Sequence, residues 1–222
     1  MAEPQIIARD LRRSFKIGTR TIEVLRGISV EIRAGEAVFL CGASGAGKTT
    51  LLYTLAGLER PEAGEVIFEG RKLYNGGDSA QARIRNERIG FVFQGYFLLP
   101  ELTALENVLL PSMIGGKVKR EAAEQALKRV GLDERMQHLP PELSGGEQQR
   151  VAIARAISNE PSVIFADEPT GNLDSKTGGE IVGLRLGLVK ERGTTLVVVT
   201  HDEQLAARGD RILHVRDGRL AP

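Results

Sequence analysis

The stretch that decides the fold of this chain is Leu40-Cys41-Gly42-Ala43-Ser44-Gly45-Ala46-Gly47-Lys48-Thr49-Thr50. It has the pattern G-x-x-x-x-G-K-[ST] from Gly42 to Thr49. Residues 36–41, which precede the pattern, are mainly apolar and predict a short buried strand. Residues 50–57, which follow it, predict a helix that ends at a glycine cap. A strand, a glycine loop and a helix in this order are the context in which the pattern binds phosphate.

The residue types in this loop suit a polyphosphate. Gly42, Gly45 and Gly47 allow positive φ and a close approach of the backbone to the ligand. Successive backbone N–H groups and the start of a helix together attract an anion. Lys48 is placed to reach the β and γ phosphates, and the hydroxyl of Thr49 is placed to ligate Mg²⁺. The alternative, a glycine-rich turn before an amphipathic helix, is less favoured by the context.

The composition is that of an ordinary folded protein. The chain has 222 residues, of which 41% are hydrophobic and 27% charged, and its formal net charge is +1. This length is sufficient for one or two domains with a substantial core. The small net charge gives no support for polyanion binding driven by bulk charge.

Cysteine content and the N-terminus indicate where the protein resides. The single cysteine, Cys41, excludes a disulfide framework and fits a reducing interior, and we interpret it as a small buried thiol. The first five residues lack the basic and apolar regions of a signal peptide. No apolar run approaches the ~20 residues needed to span a bilayer. We therefore expect a cytoplasmic protein, with any membrane role coming through a partner.

The N-terminal segment predicts an antiparallel β layer. Residues 5–32 alternate between apolar and polar and are punctuated by Gly18 and Gly27. Phe15 lies near the first of these glycines. It is either a ring on which an adenine base stacks or an ordinary core aromatic, and the pattern alone does not decide between them.

The middle of the chain alternates between strands and helices. Residues 64–70 predict a strand, 78–88 a polar helix and 88–94 an apolar strand that ends in Gln94. A glutamine where a buried strand emerges either coordinates Mg²⁺ or orients water, or it is a satisfied polar edge, and the spacing leaves both open.

Residues 95–158 predict a helical insertion, with helices at about 103–110, 118–130 and 145–158. The run 96–100, Tyr-Phe-Leu-Leu-Pro, is apolar and lies in a turn before the first of them. It either packs inside the helical segment or forms an exposed patch that docks a partner, and both interpretations stay open.

The last of these helices begins with an unusual sequence, Ser144-Gly145-Gly146-Glu147. Ser144 and Glu147 form the spacing of a capping box, which would by itself explain a helix start. Two glycines in the first turn, however, weaken a helix by about 1 kcal/mol each relative to alanine. Bare glycines leave N–H groups open for an anion, so this is a second predicted phosphate-binding helix start.

Two further strands end in polar residues. The apolar run 162–166 leads directly into Asp167 and Glu168, and the run 194–200 leads into His201. Ligands of open α/β sheets lie beyond the carboxyl ends of strands, so these side chains are expected to face the nucleotide. Asp167 suits a Mg²⁺ shell, Glu168 suits polarising the attacking water, and His201 suits a hydrogen bond to the γ phosphate.

The C-terminal third contains two other features. Asp174 is a plausible N-cap of a helix at about 174–190, in which four glycines have no physical explanation beyond close packing. Residues 211–220 predict a hairpin with an Asp-Gly turn.

Taken in order, the motifs match a known family. They are GASGAGKT at 42–49, Gln94, LSGGE at 143–147, VIFADE at 163–168, LD at 173–174 and His201. This set resembles the nucleotide-binding subunit of ABC transporters over essentially the whole chain. The resemblance implies an α/β P-loop NTPase (RecA-like) core with a mainly parallel sheet, an N-terminal antiparallel β layer and an inserted helical subdomain. It further implies one nucleotide-binding domain over 1–222, with its core at 1–94 and 159–222 and the helical subdomain at 95–158.

The resemblance implies a role for each matched residue. Phe15 takes the place of an adenine-stacking aromatic that is more often tyrosine, and Asp174 resembles the inter-subunit loop. The implied ATP-binding set is Phe15, Gly42, Ala43, Ser44, Gly45, Ala46, Gly47, Lys48, Thr49, Thr50, Ser144, Gly145, Gly146, Glu147 and Asp174. The implied Mg²⁺ ligands are Thr49, Gln94 and Asp167, and the implied catalytic residues are Lys48, Gln94, Glu168 and His201.

Within the family, the chain looks most like the Lol, Mac and FtsE group, and closest to the lipoprotein-releasing type. Two phosphate-binding helix starts in one chain suggest an ATP-sandwich homodimer that hydrolyses ATP and drives transmembrane permease subunits, with no nucleic acid partner. This places the protein at the inner face of the cell membrane through its permease. The alternatives are an FtsE-like cell-division ATPase, a soluble ABC-type ATPase of DNA repair or translation, and a small-molecule kinase that shares only the phosphate loop.

Overall fold

The computed structural model describes residues 4–169 and 193–221. The chain divides into a first unit, residues 1–82 with 195–222, and a second unit, residues 83–194.

The first unit contains the antiparallel layer predicted for the N-terminus. Its strands run in the order β2-β1-β4-β5, where β1 is Pro4–Ile17, β2 is Arg20–Arg33, β4 is Ala63–Phe68 and β5 is Arg71–Lys72. Gly18 forms the turn between the two long strands, as predicted. Gly27 does not end a strand but lies inside β2 with φ +86°, where an added Cβ would approach Asp10 Oδ1 to 2.7 Å. The pairing of β1 with β2 shifts register beside it, so Gly27 marks a bulge.

The first unit also contains a parallel set of strands around β3, Ala37–Cys41. This strand pairs in parallel with β8, Thr195–Val199, on one side and with β9, Arg211–Arg216, on the other. Every residue of β3 and β8 is buried, as expected for strands covered on both faces. The helix α1, Lys48–Leu55, follows β3, and α6, Glu203–Ala206, follows β8.

Two glycine-dependent predictions in the first unit are confirmed. Gly57 follows α1 with φ +72°, as a glycine cap requires. The strands β9 and β10, Arg219–Leu220, form the C-terminal hairpin, with Asp217 at φ +48° and Gly218 at φ +74° in its turn.

The second unit is mainly helical. The predicted polar helix is α2, Asp78–Arg88, which runs into this unit, and the insertion contains α3, Ala104–Ile114, α4, Arg120–Arg129, and α5, Gly145–Ile157. Two 3₁₀ turns, Asp133–Arg135 and Pro140–Glu142, separate α4 from α5. The helix α3 is longer than predicted because it continues past Pro111, whose carbonyl still accepts a hydrogen bond from Gly115 N at 3.1 Å.

A parallel pair of strands completes the second unit. It consists of β6, Ile89–Val92, and β7, Val163–Asp167. The prediction that the first of these strands runs to Gln94 is wrong, because the chain turns at Gln94 and Gly95. Among the described residues, every helix is too short or too polar to span a membrane.

Candidate functional site

The phosphate loop requires glycine at two positions for steric reasons. Gly42 has φ +146°, and a Cβ added there would lie 2.1 Å from the carbonyl oxygen of Val215. Gly47 has φ +101°, and its added Cβ would lie 2.8 Å from the carbonyl oxygen of Val24. Both distances are shorter than real side chains tolerate, so the pattern of glycines reflects the packing of the loop against neighbouring strands as well as φ.

The lysine of the loop is held over the backbone. Lys48 is the first residue of α1 and is 7% exposed. Its Nζ donates to the carbonyl oxygens of Gly42 and Ala43, each at 2.9 Å. Carbonyls do not neutralise the ammonium, so a full positive charge lies within the loop. A triphosphate carries the complementary charge.

The start of α1 is suited to an anion. No side chain caps this helix, and its N-cap is Gly47. The first N–H groups of a helix have no intrahelical acceptor and carry the positive end of the helix dipole. Ala43, Ser44 and Gly45 are exposed, and no atom lies within 4 Å of a Cβ added to Gly45. The loop is therefore open where the phosphates would lie, and the residues present fit a nucleotide.

The remaining residues of the motif differ in their exposure. Thr49 is exposed at the second position of α1, followed by the half-buried Thr50. Ala46 is buried, and its carbonyl accepts a hydrogen bond from Gly218 N at 3.1 Å, which ties the loop to the C-terminal hairpin. Burial raises the pKa of the neighbouring Cys41 thiol, as expected for a packed, unreactive cysteine.

His201 lies at the same edge of the sheet as the phosphate loop. The parallel register pairs Leu40 of β3 with Val199 of β8, and Thr200 N donates to Leu40 O at 3.2 Å. The loop after β3 and the exposed His201 after β8 therefore emerge side by side from the ends of these two strands. Phe15, the predicted base-stacking residue, is half-buried in β1 opposite Ile22.

The second unit brings three predicted residues to one edge. Val92 of β6 pairs with Ala166 of β7, so Gln94, which follows β6, and Asp167, the last residue of β7, lie at the ends of adjacent strands. Asp167 is 5% exposed, whereas Gln94 is exposed in a turn. Glu168 has φ +38°, a strained conformation for a residue with a side chain. Carboxylate and amide oxygens are ligands that Mg²⁺ accepts.

The predicted capping box at α5 is present. Ser144 Oγ accepts from Glu147 N at 3.3 Å, and Glu147 Oε2 accepts from both Ser144 N and Ser144 Oγ at 2.8 Å. The hydrogen bond from Ser144 N is the main reason that the pKa of Glu147 lies below its usual range. The box provides a hydrogen-bond acceptor for the N–H of Glu147 but not for those of Gly145 and Gly146, which also have no intrahelical acceptor.

Two residues that position the turn after Gln94 carry no motif signal. Arg155 of α5 donates from Nη1 to Phe97 O at 2.6 Å and from Nη2 to Tyr96 O at 2.5 Å. Nδ2 of the fully buried Asn107 lies within hydrogen-bond distance of three carbonyl oxygens, which share its two N–H donors, and its Oδ1 accepts from Leu99 N at 2.8 Å. These contacts fix the backbone of the apolar run 96–100. No periodic pattern in the sequence predicts them.

The structure also decides one of the open interpretations, that of the apolar run 96–100. Phe97 and Leu99 are exposed, so this part of the run is a surface patch and does not pack inside the helical segment.

Asp174 and the predicted helix at 174–190 lie outside the described residues. Within the described ranges, no group of three or more His, Cys, Asp or Glu side chains forms a metal cluster.

Comparisons with known proteins identify the family of this chain. A family model described as ABC transporter matches residues 25–171. The lipoprotein-releasing system ATP-binding protein LolD of Porphyromonas gingivalis is 50% identical over 218 residues, which cover 97% of this chain and 98% of that protein. The uncharacterized ABC transporter ATP-binding protein YbbA of Escherichia coli is 47% identical over 222 residues, covering 99% and 97%.

Solved structures are similarly close. The dimeric structure of MJ0796, a bacterial ABC transporter cassette, matches with a TM-score of 0.91 at 42% identity and covers 98% of this chain and 97% of that one. The MJ0796 cassette in a dimeric post-hydrolysis state, bound to ADP and Pi, matches with the same values. These matches confirm the predicted α/β fold with a parallel sheet and an antiparallel β layer. The chain belongs to the ABC transporter family, as an ATP-binding subunit that hydrolyses ATP.

Proposed function

We propose that two copies of this chain close head to tail around two ATP molecules and that hydrolysis in this dimer drives a transmembrane partner. The observation that carries the proposal is that each unit contains one helix start suited to phosphate. In the first unit α1 begins at Lys48 without a side-chain cap, and in the second unit α5 begins with Gly145 and Gly146. A two-fold pair of chains would use both starts, because each signature, the segment from Ser144 to Glu147 at the start of α5, would bind the ATP held by the other copy.

Residues of both units would contribute to ATP binding and hydrolysis. Lys48 and His201 would contact the γ phosphate, and Phe15 would stack on the adenine. Thr49, Gln94 and Asp167 would hold Mg²⁺, which, when bound, supplies charge neutralisation on the phosphates. Glu168 would accept the proton of the attacking water, and its strained backbone supports a functional role. Asp174 is assigned to the loop between subunits.

The substitution Glu168→Gln tests the catalytic part of this proposal. It keeps the size and hydrogen bonding of the side chain but removes the base, so ATP binding is kept, hydrolysis is lost and the dimer accumulates. Light scattering after gel filtration measures the dimer, and a phosphate-release assay measures turnover. Glu101→Gln, at an exposed turn position, is the matched control and keeps turnover. Full hydrolysis by the Glu168 variant would remove Glu168 from the mechanism.

Dilution tests whether the reaction centre is shared between copies. If each centre needs the signature of a second copy, the rate per molecule falls as the protein is diluted below the dimer dissociation constant. Wild-type protein is assayed over a thousandfold range of concentration at saturating ATP. A rate per molecule that stays constant over this range would contradict the shared site.

We infer that the partner is a permease for lipoprotein release or for efflux of the Mac type. The support is the similarity to relatives named as LolD, at about 50% identity over nearly the full chain. Purification of the tagged chain from membranes, followed by identification of the co-purified permease, provides the test. Release of a lipoprotein from proteoliposomes that contain the complex would support lipoprotein release. ATPase stimulation by DNA or ribosomes would favour a soluble ABC-type ATPase.

Exposed apolar residues support a permease contact. Phe97 is 66% exposed and Leu99 45% exposed, within the segment 95–158 that we assign to the helical subdomain. Docking there would hold the protein at the inner face of the membrane. Phe97→Ser would lower recovery of the permease and leave ATP-dependent dimerisation intact. Ile17→Ser, at a position 65% exposed in the first unit, is the control and leaves recovery unchanged.

A further inference from the structure

Arg135 forms an ion pair with the glutamate of the signature. It ends the 3₁₀ turn Asp133–Arg135, and its Nε lies 3.4 Å from Oε1 of Glu147. Its Nη1 lies 3.0 Å from Nε2 of His138. The side chains of Arg135 and Glu147 are 50% and 20% exposed, so the pair lies at the surface beside the start of α5.

The Glu147 carboxylate opposes phosphate binding at this helix start in two ways. The hydroxyl of Ser144 has one proton, which it donates to Glu147 Oε2 at 2.8 Å, so that proton must leave the carboxylate before it can reach a phosphate oxygen. The carboxylate is also a negative charge close to the N–H groups of Gly145 and Gly146. A triphosphate that approaches them is repelled by this charge.

A second capping box in the same unit shows that the box itself needs no arginine. Glu106 Oε2 accepts from Thr103 N at 2.8 Å and from Thr103 Oγ1 at 2.9 Å, and Glu106 N donates to Thr103 Oγ1 at 3.2 Å. The geometry is therefore the same as at Ser144. Within the described part of the chain, no cation pairs with Glu106 and only hydrogen bonds to Thr103 lower its pKa. Arg135 is thus an addition to the cap, and Arg150 also contributes a favourable charge interaction with the Glu147 carboxylate.

We propose that Arg135 is a positioning residue for the ATP bound by the partner copy, a role that rests on the proposed function. Its guanidinium neutralises Glu147, which reduces the repulsion of the incoming triphosphate. The same pairing makes the carboxylate a weaker acceptor, so the Ser144 hydroxyl can turn to a phosphate oxygen. Arg135 acts through Glu147 and does not contact the nucleotide.

A double-mutant cycle in the Glu168→Gln background tests this role. The quantity measured is the ATP concentration that gives half-maximal dimerisation. Arg135→Ala raises it about fivefold, the effect expected for one partly exposed charge pair. With Glu147→Gln already present, the same Arg135 substitution changes it less than about twofold, since glutamine keeps the box but carries no charge. Arg135→Lys keeps the positive charge, so the ATP concentration for half-maximal dimerisation stays close to that of the parent variant. Added salt reduces the difference between the parent and Arg135→Ala.

Matched controls separate this role from a structural one. Arg120→Ala breaks a similar pair with Glu124, at 2.9 Å on α4, and leaves dimerisation unchanged. Glu106→Gln alters the second capping box and also leaves dimerisation unchanged. Thermal unfolding verifies that each variant is folded. An equal shift from Arg135→Ala in both backgrounds, or no shift in either, overturns the inference. Failure of the parent variant to dimerise with ATP overturns the proposed function as well.

Discussion

The guanidinium carbon of Arg13 lies 4.9 Å from the centre of the Phe15 ring, two residues along the same strand. Arg13 is itself held by Glu59, with Nε and Oε1 3.0 Å apart. The first unit thus fixes the orientation of the ring that we assign to the adenine base. A cation against an aromatic face contributes about 0.5–1 kcal/mol at an exposed site.

Arg13→Gln is therefore expected to weaken ATP binding by weakening the stacking of adenine on Phe15. The ring loses the cation that orients it, so ATP affinity falls about threefold. Tripolyphosphate, which has no base, binds with unchanged affinity. Calorimetric titration of both ligands measures the difference.

Arg9→Gln is the matched control for this prediction. Arg9 lies on the same strand and pairs with Glu65 at 3.1 Å. It has no described contact with an aromatic ring, so its loss leaves both affinities unchanged. Equal weakening of ATP and tripolyphosphate by Arg13→Gln would mean that Arg13 acts on the phosphates by charge.

Gly42→Ala is expected to abolish nucleotide binding. The added methyl would lie 2.1 Å from Val215 O, so the loop or the hairpin must shift. Gly70→Ala is the control, because Gly70 also has positive φ, at +75°, but has no atom within 4 Å of an added Cβ. The control costs about 1 kcal/mol of stability and keeps ATP binding. Retention of wild-type affinity by the Gly42 variant would contradict the steric explanation.

The sequence predicts those parts of the site that depend on neighbours along the chain. The loop from Gly42 to Thr49 and the capping box at Ser144 are local structures, so their patterns are sufficient. Strands such as β3 and β8 are predicted because burial on both faces leaves a continuous apolar run. The end of β6 is predicted wrongly because the turn at Gln94 depends on tertiary contacts.

Arg155, Asn107 and Arg135 could not be identified from patterns. Arg155 bonds a carbonyl 58 residues away, and its own neighbours on α5 give no sign of this. Arg135 precedes Ser144 by nine residues and ends a 3₁₀ turn that no motif marks. Such residues become apparent only when distant segments lie side by side.

Arg155→Gln is expected to loosen the turn after Gln94. Tyr96 and Phe97 have φ of +58° and +46°, each costing about 1–3 kcal/mol, and the two hydrogen bonds from Arg155 stabilise them. Burial lowers the pKa of Arg155, yet the group stays charged because its ordinary pKa is so high. Hydrogen exchange in residues 95–102 becomes faster by at least about tenfold.

The exposed Arg129→Gln on α4 provides the comparison and leaves this exchange unchanged. Arg155→Lys keeps the charge and the donors but lacks the rigid planar fork that spans both carbonyls, so its exchange rate lies between those of wild type and Arg155→Gln. Exchange as slow as in wild type after loss of the guanidinium would show that the turn is held by other contacts.

Ser144→Ala is expected to raise the pKa of Glu147 and so change how the cap responds to acid. The hydrogen bonds from Ser144 lower that pKa, and the largest is donated by the main-chain N, which alanine retains. The pKa therefore rises only part of the way toward the ordinary value of about 4.3. A lowered pKa stabilises the fold above the unfolded-state value, and this stability is lost as pH falls through the folded-state value. The stabilities of wild type and variant should thus change alike between pH 7 and 6 and diverge below about pH 5.

Carbon-detected titration of labelled glutamate measures the pKa of Glu147 in both proteins. The pKa of Glu106 in Thr103→Ala provides the parallel measurement at the second capping box. A Glu147 pKa that does not move in Ser144→Ala would mean that the hydroxyl does not donate to the carboxylate, and the Ser144 proton would then already be available for a phosphate oxygen.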